Sequence, residues 1–131
     1  MGITNATLLS GATINVSGGT AKTFNSDGFV VPNGIHVVDI GDADYRTRMN
    51  LTLKNRNPVL VNGKFSKAKR WMTTVKPQVE ADGSISFNVI RSEIGFSTTF
   101  PAADYTDLLK MHAQMFVDAD FSSFLTIGSL V

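Results

Sequence analysis

The chain has no cysteine. That excludes a disulfide frame, thiolate chemistry and any metal site built on thiolates. It has only two histidines, His36 and His112. His36 falls in an apolar strand pattern and His112 on an apolar helical stripe, so both read as structural histidines rather than general bases. There is no metal-ligand spacing, no nucleophile elbow and no glycine-rich phosphate loop. No catalytic residue, metal ligand or cofactor is therefore expected. No apolar run approaches the roughly 18 residues of a membrane span. The first residues lack the basic and apolar regions of a signal peptide, and Gly2 is not followed by Ser or Thr at position 6 as a myristoylation signal requires. The most informative absence is of acids: residues 45–76 contain neither Asp nor Glu.

That stretch holds nine of the twelve Lys and Arg residues, namely Arg46, Arg48, Lys54, Arg56, Lys64, Lys67, Lys69, Arg70 and Lys76. It carries +9 against −8 elsewhere, so the formal net charge of +1 conceals a strongly polarised molecule. Such a field attracts a polyanion. A merely solvated face would intersperse acids to relieve its self-repulsion.

From position 46 the stretch alternates. Arg46, Arg48, Asn50, Thr52, Lys54 and Arg56 form one set, and Thr47, Met49, Leu51, Leu53 and Asn55 the other. Period 2 predicts a strand with one wet cationic face and one apolar face, about 40 Å long at ~3.3 Å per residue. Asn57-Pro58 interrupts it, because proline lacks the ladder N–H. Asn62-Gly63 is a hairpin turn signal. Residues 65–77 read as the return strand, with Lys67, Lys69, Trp71, Thr73 and Val75 on the cationic face. Trp71 is then either a stacking platform among cations, as single-stranded nucleic acid favours, or a core residue.

The 131 residues suggest one domain, 1–131, large enough to bury a real core. Hydrophobic content of 43% and charged content of 18% are globular values. There is no charge from Met1 to Ala21, where residues 4–9 and 12–17 predict a hairpin turning at Ser10-Gly11, within a segment 1–20. A sheet is expected over 29–99, with strands near 35–40 and 85–94. Asp39, Asp42 and Asp44 crowd the turn into the cationic strand. In the last strand Ile85, Phe87 and Val89 alternate, then Ile90 and Ile94 switch parity, which a bulge or two-sided burial would explain. Helices are expected within 101–128. Pro101, Asp104 and Asp107 suit a first turn, and Tyr105, Leu108, Leu109, His112, Met115 and Phe116 fall at helical spacing. A second helix over 121–127 stops at Gly128. Strands first and helices last predict an α+β chain with an antiparallel sheet, helices over one sheet face and the cationic face bare.

This order, with Leu51-Thr52-Leu53-Lys54-Asn55-Arg56, Asn62-Gly63-Lys64-Phe65, Lys67-Ala68-Lys69-Arg70, Val75-Lys76-Pro77, Ile90-Arg91-Ser92-Glu93-Ile94 and the ending Gly128-Ser129-Leu130, resembles the coat proteins of single-stranded RNA bacteriophages, the levivirus family. The resemblance spans nearly the whole chain. It implies an interlocked homodimer with joined sheets, the helices of each subunit over the sheet of the other. Dimers would assemble into an icosahedral virion shell in the bacterial host cytoplasm. The bare sheet face would line the interior against genomic RNA, and in relatives it also binds an operator stem-loop that represses replicase translation. Carried over by face, the RNA-binding set is Arg46, Arg48, Asn50, Thr52, Lys54 and Arg56 on one strand, Lys67, Lys69, Trp71 and Thr73 on the next, and Arg91 on the third. Relatives have small polar residues where this chain has Arg48 and Trp71, which argues against a pocket for an unstacked adenine. Arg70 and Lys76 fall on the covered face, where they would pair with helix acids of the partner subunit or reach past the helix edge. The 80–84 loop is short beside that of relatives, where it surrounds the symmetry axes.

The alternative is a cellular single-stranded nucleic-acid-binding domain without capsid assembly. It shares the cationic face and Trp71. It needs neither the acidic helices, with Asp104, Asp107, Asp118 and Asp120 against Lys110, nor the long uncharged N-terminal segment that reads as a contact surface.

Overall fold

The computed structural model describes residues 3–130. The strands are β1 (Phe24–Ser26), β2 (Gly34–Asp39), β3 (Asn50–Arg56), β4 (Leu60–Val61), β5 (Lys64–Phe65), β6 (Ala68–Val79) and β7 (Ile85–Phe96), followed by helices α1 (Ala102–Gln114) and α2 (Ala119–Ile127). The chain forms two compact units, residues 19–98 and residues 1–18 with 99–131.

The first unit is one antiparallel sheet in the order β1-β2-β3-β6-β7, with β4 and β5 as a separate two-stranded ribbon. Asn62 and Gly63 join the ribbon with φ of 51° and 77°, the two positive values that a tight hairpin turn needs. The β6–β7 turn is held by Asp82, whose Oδ1 accepts from Ser84 N at 2.9 Å and Ser84 Oγ at 2.6 Å. The β6–β7 register runs unbroken from Ala68 opposite Phe96 to Val79 opposite Ile85. No bulge therefore explains the parity switch at Ile90; β7 carries apolar residues on both faces. At Gly34 the β2 backbone passes so close to β3 that a Cβ would run into the Leu53 carbonyl oxygen. Gly34→Ala should accordingly lower stability by about 1–3 kcal/mol, the usual cost of overpacking, as a depressed thermal midpoint.

The cationic strand is shorter than its alternation predicts. Residues 45–47 form a turn, and pairing begins at Asn50. The three aspartates cause this. Asp39 Oδ1 accepts from Gly41 N, Asp42 Oδ1 from Asp44 N and Asp44 Oδ1 from Arg46 N, at 3.0, 3.0 and 2.9 Å. Each side chain closes a local turn that competes with strand pairing. The acidic cluster is thus a loop-building device, and among the described residues no group of His, Asp and Glu is placed to hold a metal.

In the other unit the expected N-terminal hairpin is replaced by something else. Residues 1 and 2 lie outside the described residues. Ile3–Asn5 is a single 3-10 turn, and no strand precedes Phe24 among the described residues. Backbone N–H groups two residues apart, at Thr7, Leu9 and Gly11, bond instead to side chains of the helical region: Asp120 at 3.4 Å, Gln114 at 2.9 Å and Asp107 at 2.6 Å. Gln114 also donates to the Leu9 carbonyl at 2.8 Å, and Ser10 Oγ donates to Asp107 at 2.7 Å. Spacing of two is that of extended chain, so the sequence pattern was real but its partner is a row of side chains. Helix α1 ends at Gln114, and Asp118 caps α2 by accepting from Asp120 N at 2.8 Å. Gly128, left-handed at φ 72°, closes α2 as expected.

The Ser10 and Gly11 hydrogen bonds, with Lys110 nearby, hold the Asp107 carboxyl below its ordinary value. A lowered carboxylate contributes stability that is complete above the unfolded-state value and is lost as pH falls through the folded one. The protection of the Gly11 amide, taken relative to its intrinsic exchange rate at each pH, should therefore fall on acidification below about pH 4, and Asp107→Asn should remove that dependence.

A chain of this length was expected to bury a core. Among the described residues Ala68, at 3% exposure, is the one buried hydrophobic residue of the core. A single-layer sheet buries a face only when something is laid on it. Ile35, Leu53, Met72 and Ile90, all on the face opposite the cationic one, remain 51, 43, 45 and 64% exposed. Leu108 on α1, Phe124 and Leu125 on α2, and Phe116 in the turn between the helices are also exposed.

Candidate nucleic-acid interface

In an antiparallel sheet, residues directly opposite one another share a face. The β3–β6–β7 register therefore places Thr52, Thr73 and Arg91 in one row, Lys54, Trp71 and Glu93 in the next, and Arg56, Lys69 and Gly95 in the third. On the β2 side His36 lies opposite Thr52. Thr52, Lys54, Arg56, Trp71, Thr73 and Arg91 line a shallow basin of about 790 Å³ on this face, with Glu93 and the Asn33 turn at its sides. Trp71 is half-buried in the basin wall rather than enclosed in a core.

The other sequence-predicted residues are placed differently. Asn50 opens β3 and is half-buried, and Lys67 is exposed just before β6. Lys69 Nζ donates to Glu93 Oε1 at 3.1 Å. Arg46 and Arg48 lie in the turn before β3, not on the strand. Arg46 grips Asp44 with Nε and Nη2, each at 3.1 Å. Arg48 Nε donates to the Asp42 carbonyl at 2.7 Å, and its guanidinium stacks 4.4 Å from the centre of the Tyr45 ring.

Lys76 and Arg70, expected to pair with helix acids of a partner or to reach past the helix edge, have contacts within the chain. Lys76 Nζ donates to the Thr47 carbonyl at 2.6 Å and stands 3.8 Å from Asp42, tying β6 to the aspartate loop. Thr47 above all, then the Asp44 amide, keeps the Asp42 carboxyl below its ordinary value, with the Lys76 charge adding to the effect. Arg70 donates to the Lys69 carbonyl at 3.1 Å and lies 5.4 Å from the centre of the Phe96 ring. His36 Nδ1 pairs with Asp27 at 3.2 Å and its ring meets Phe29 edge-on at 5.3 Å. His112 packs edge-on against Phe116 at 5.6 Å. Both histidines thus have structural partners.

Sequence reasoning did not single out Glu93, the one acid in these rows. Its carboxyl is held below the ordinary value chiefly by hydrogen bonding from Lys69, then by the Trp71 side chain and the charge of Arg56. The available signal was its place in Ile90-Arg91-Ser92-Glu93, two residues after Arg91 and hence on the same strand face.

A one-layer antiparallel sheet, cationic on one side and apolar on the other, followed by two helices, defines an α+β subunit with two unlike faces. No family model and no curated protein matches the sequence. Among solved structures, the virus-like particle of bacteriophage GQ-907 contains a chain similar at TM-score 0.94 and 37% identity, over 98% of this chain and 99% of that one. The virus-like particle of bacteriophage AVE019 matches at TM-score 0.70 and 14% identity over 97% and 98% of the two chains. That of Beihai levi-like virus 21 matches at 0.65 and 16% over 87% and 98%, and these two speak for the fold alone. The chain belongs to the coat proteins of the single-stranded RNA bacteriophages, the levivirus family.

Proposed function

We propose that the chain dimerises through its apolar surfaces, that dimers close into an icosahedral shell, and that the cationic sheet face packages single-stranded genomic RNA inside it. The carrying observation is the contrast between the two sheet faces. One gathers Lys54, Arg56, Trp71 and Arg91 around an open basin, and the other leaves Ile35, Leu53, Met72 and Ile90 uncovered. The helices of a second copy and the turn between them, with Leu108, Phe116, Phe124 and Leu125 unburied, supply the missing cover. The single-chain sheet then becomes half of a two-layer core. The neighbouring virus-like particles support assembly beyond the dimer. Asn50, Thr52, Lys67, Lys69 and Thr73 complete the RNA-facing set, with Arg46 and Arg48 at its margin. An operator stem-loop that represses replicase translation would occupy the same basin.

Titration of single-stranded RNA against purified protein over a salt series tests the RNA contact. The logarithm of the binding constant should fall against the logarithm of salt with a slope of about −0.7 per neutralised phosphate. A binding constant unchanged across salt would remove the cationic face from the account.

A further inference from the structure

We infer that Trp71 and Glu93 form a base-selective subsite for guanine within the RNA-facing basin. The inference rests on the reading of that face as an RNA surface and adds to it the base that the surface prefers.

The argument starts from an anomaly of charge. An acid in a face built for a polyanion weakens the general attraction, yet Glu93 stands directly opposite Trp71 in the basin wall. Its position is fixed by Lys69 Nζ, 3.1 Å from Oε1. A carboxylate offers about four lone-pair positions on its two oxygens. Lys69 uses one and the Trp71 side chain a second, the Glu93 side chain is half exposed, and so acceptor positions remain towards the basin.

The indole supplies a flat wall on which any base can stack. The carboxylate beside it does not treat bases alike. Guanine presents two adjacent donors on its Watson–Crick edge, N1–H and the N2 amino group, which match the two oxygens of one carboxylate. Adenine and cytosine each present an amino donor next to a ring-nitrogen acceptor, which a carboxylate repels. Uracil offers a single N–H between two carbonyls. Only guanine satisfies both oxygens. Lys54, opposite Trp71 on β3, and Arg56 and Arg91 on the same face are placed for the flanking phosphates.

The test uses the intact protein and uridine-rich decamers that differ only in one central base: guanine, adenine, cytosine, uracil or inosine. Competition binding at one salt concentration should give a preference for guanine of about 5- to 100-fold, the range of one good bidentate base contact. Inosine, which keeps N1–H but lacks the amino group, should fall between guanine and adenine. Glu93→Gln should remove most of the preference while raising affinity for the other decamers, because it removes a negative charge from the face. Equal binding of all five decamers to the native protein would overturn the inference and leave the RNA reading standing, with Glu93 only relieving repulsion between Lys69 and Arg56. A guanine preference that survives Glu93→Gln would also overturn it. Failure of every decamer to bind would overturn the RNA reading itself, and this inference with it.

Discussion

Replacing Lys54, Arg56 and Arg91 together with alanine should weaken single-stranded RNA binding about 100-fold at 0.1 M salt and flatten the salt slope by about 2. Both figures follow from one relation. Each neutralised phosphate contributes about −0.7 to the slope on single strands, so three lost contacts remove about 2 units, equivalent at 0.1 M to about two decades. The three cations come from three different strand positions around one basin, and among the described residues none forms an ion pair that its loss would orphan. All three lie on the wet face, so the fold should survive, and far-ultraviolet circular dichroism should match the native protein. Particles of the triple variant should contain far less nucleic acid. An unchanged slope with an intact fold would move the RNA contact elsewhere.

Introducing charge on the opposite face should have the larger effect. Leu53→Glu with Met72→Glu is expected to abolish dimers and particles alike, leaving monomeric or aggregated protein. The register sets Ile35, Leu53 and Met72 in one row across β2, β3 and β6. About half of the Leu53 and Met72 surface is still uncovered in the single chain. Completing their burial is worth roughly 2–3 kcal/mol per subunit. An unpaired carboxylate in a closed interface costs several kcal/mol more. Sedimentation velocity separates the outcomes. Particles that form normally from the double variant would mean that this face is not covered in the assembly.

Much of the sheet was legible because its signals are local. Alternation of Asn50, Thr52, Lys54 and Arg56 against Leu51, Leu53 and Asn55 specifies a strand with two unlike faces, and Asn62-Gly63 specifies its hairpin. Gly128 ends α2 for the equally local reason that it adopts a positive φ. What misled was a pattern that another local interaction overrode. Arg46, Arg48 and Met49 continue the alternation backwards from β3, but Asp42 and Asp44 close turns on the backbone there, and the two arginines are held in that loop. The N-terminal segment failed for the opposite reason. Its partners Asp107, Gln114 and Asp120 lie about a hundred residues away and bond through side chains, so no pattern within the segment announces them. The thin single-chain core was invisible to composition, because hydrophobic content does not say whether a face is covered by the same chain or by another copy. Glu93 was overlooked because the charge argument weighed cations and treated acids as absent from the cationic face.

The central claim is that this chain builds a shell around RNA held on its cationic sheet face. Its most direct test is expression of the protein alone in a bacterium, followed by size-exclusion chromatography with absorbance at 260 and 280 nm and negative-stain electron microscopy of the excluded fraction. Uniform round particles with a nucleic-acid absorbance ratio are the predicted result. A small species free of nucleic acid, with no particles in the excluded volume, would contradict it.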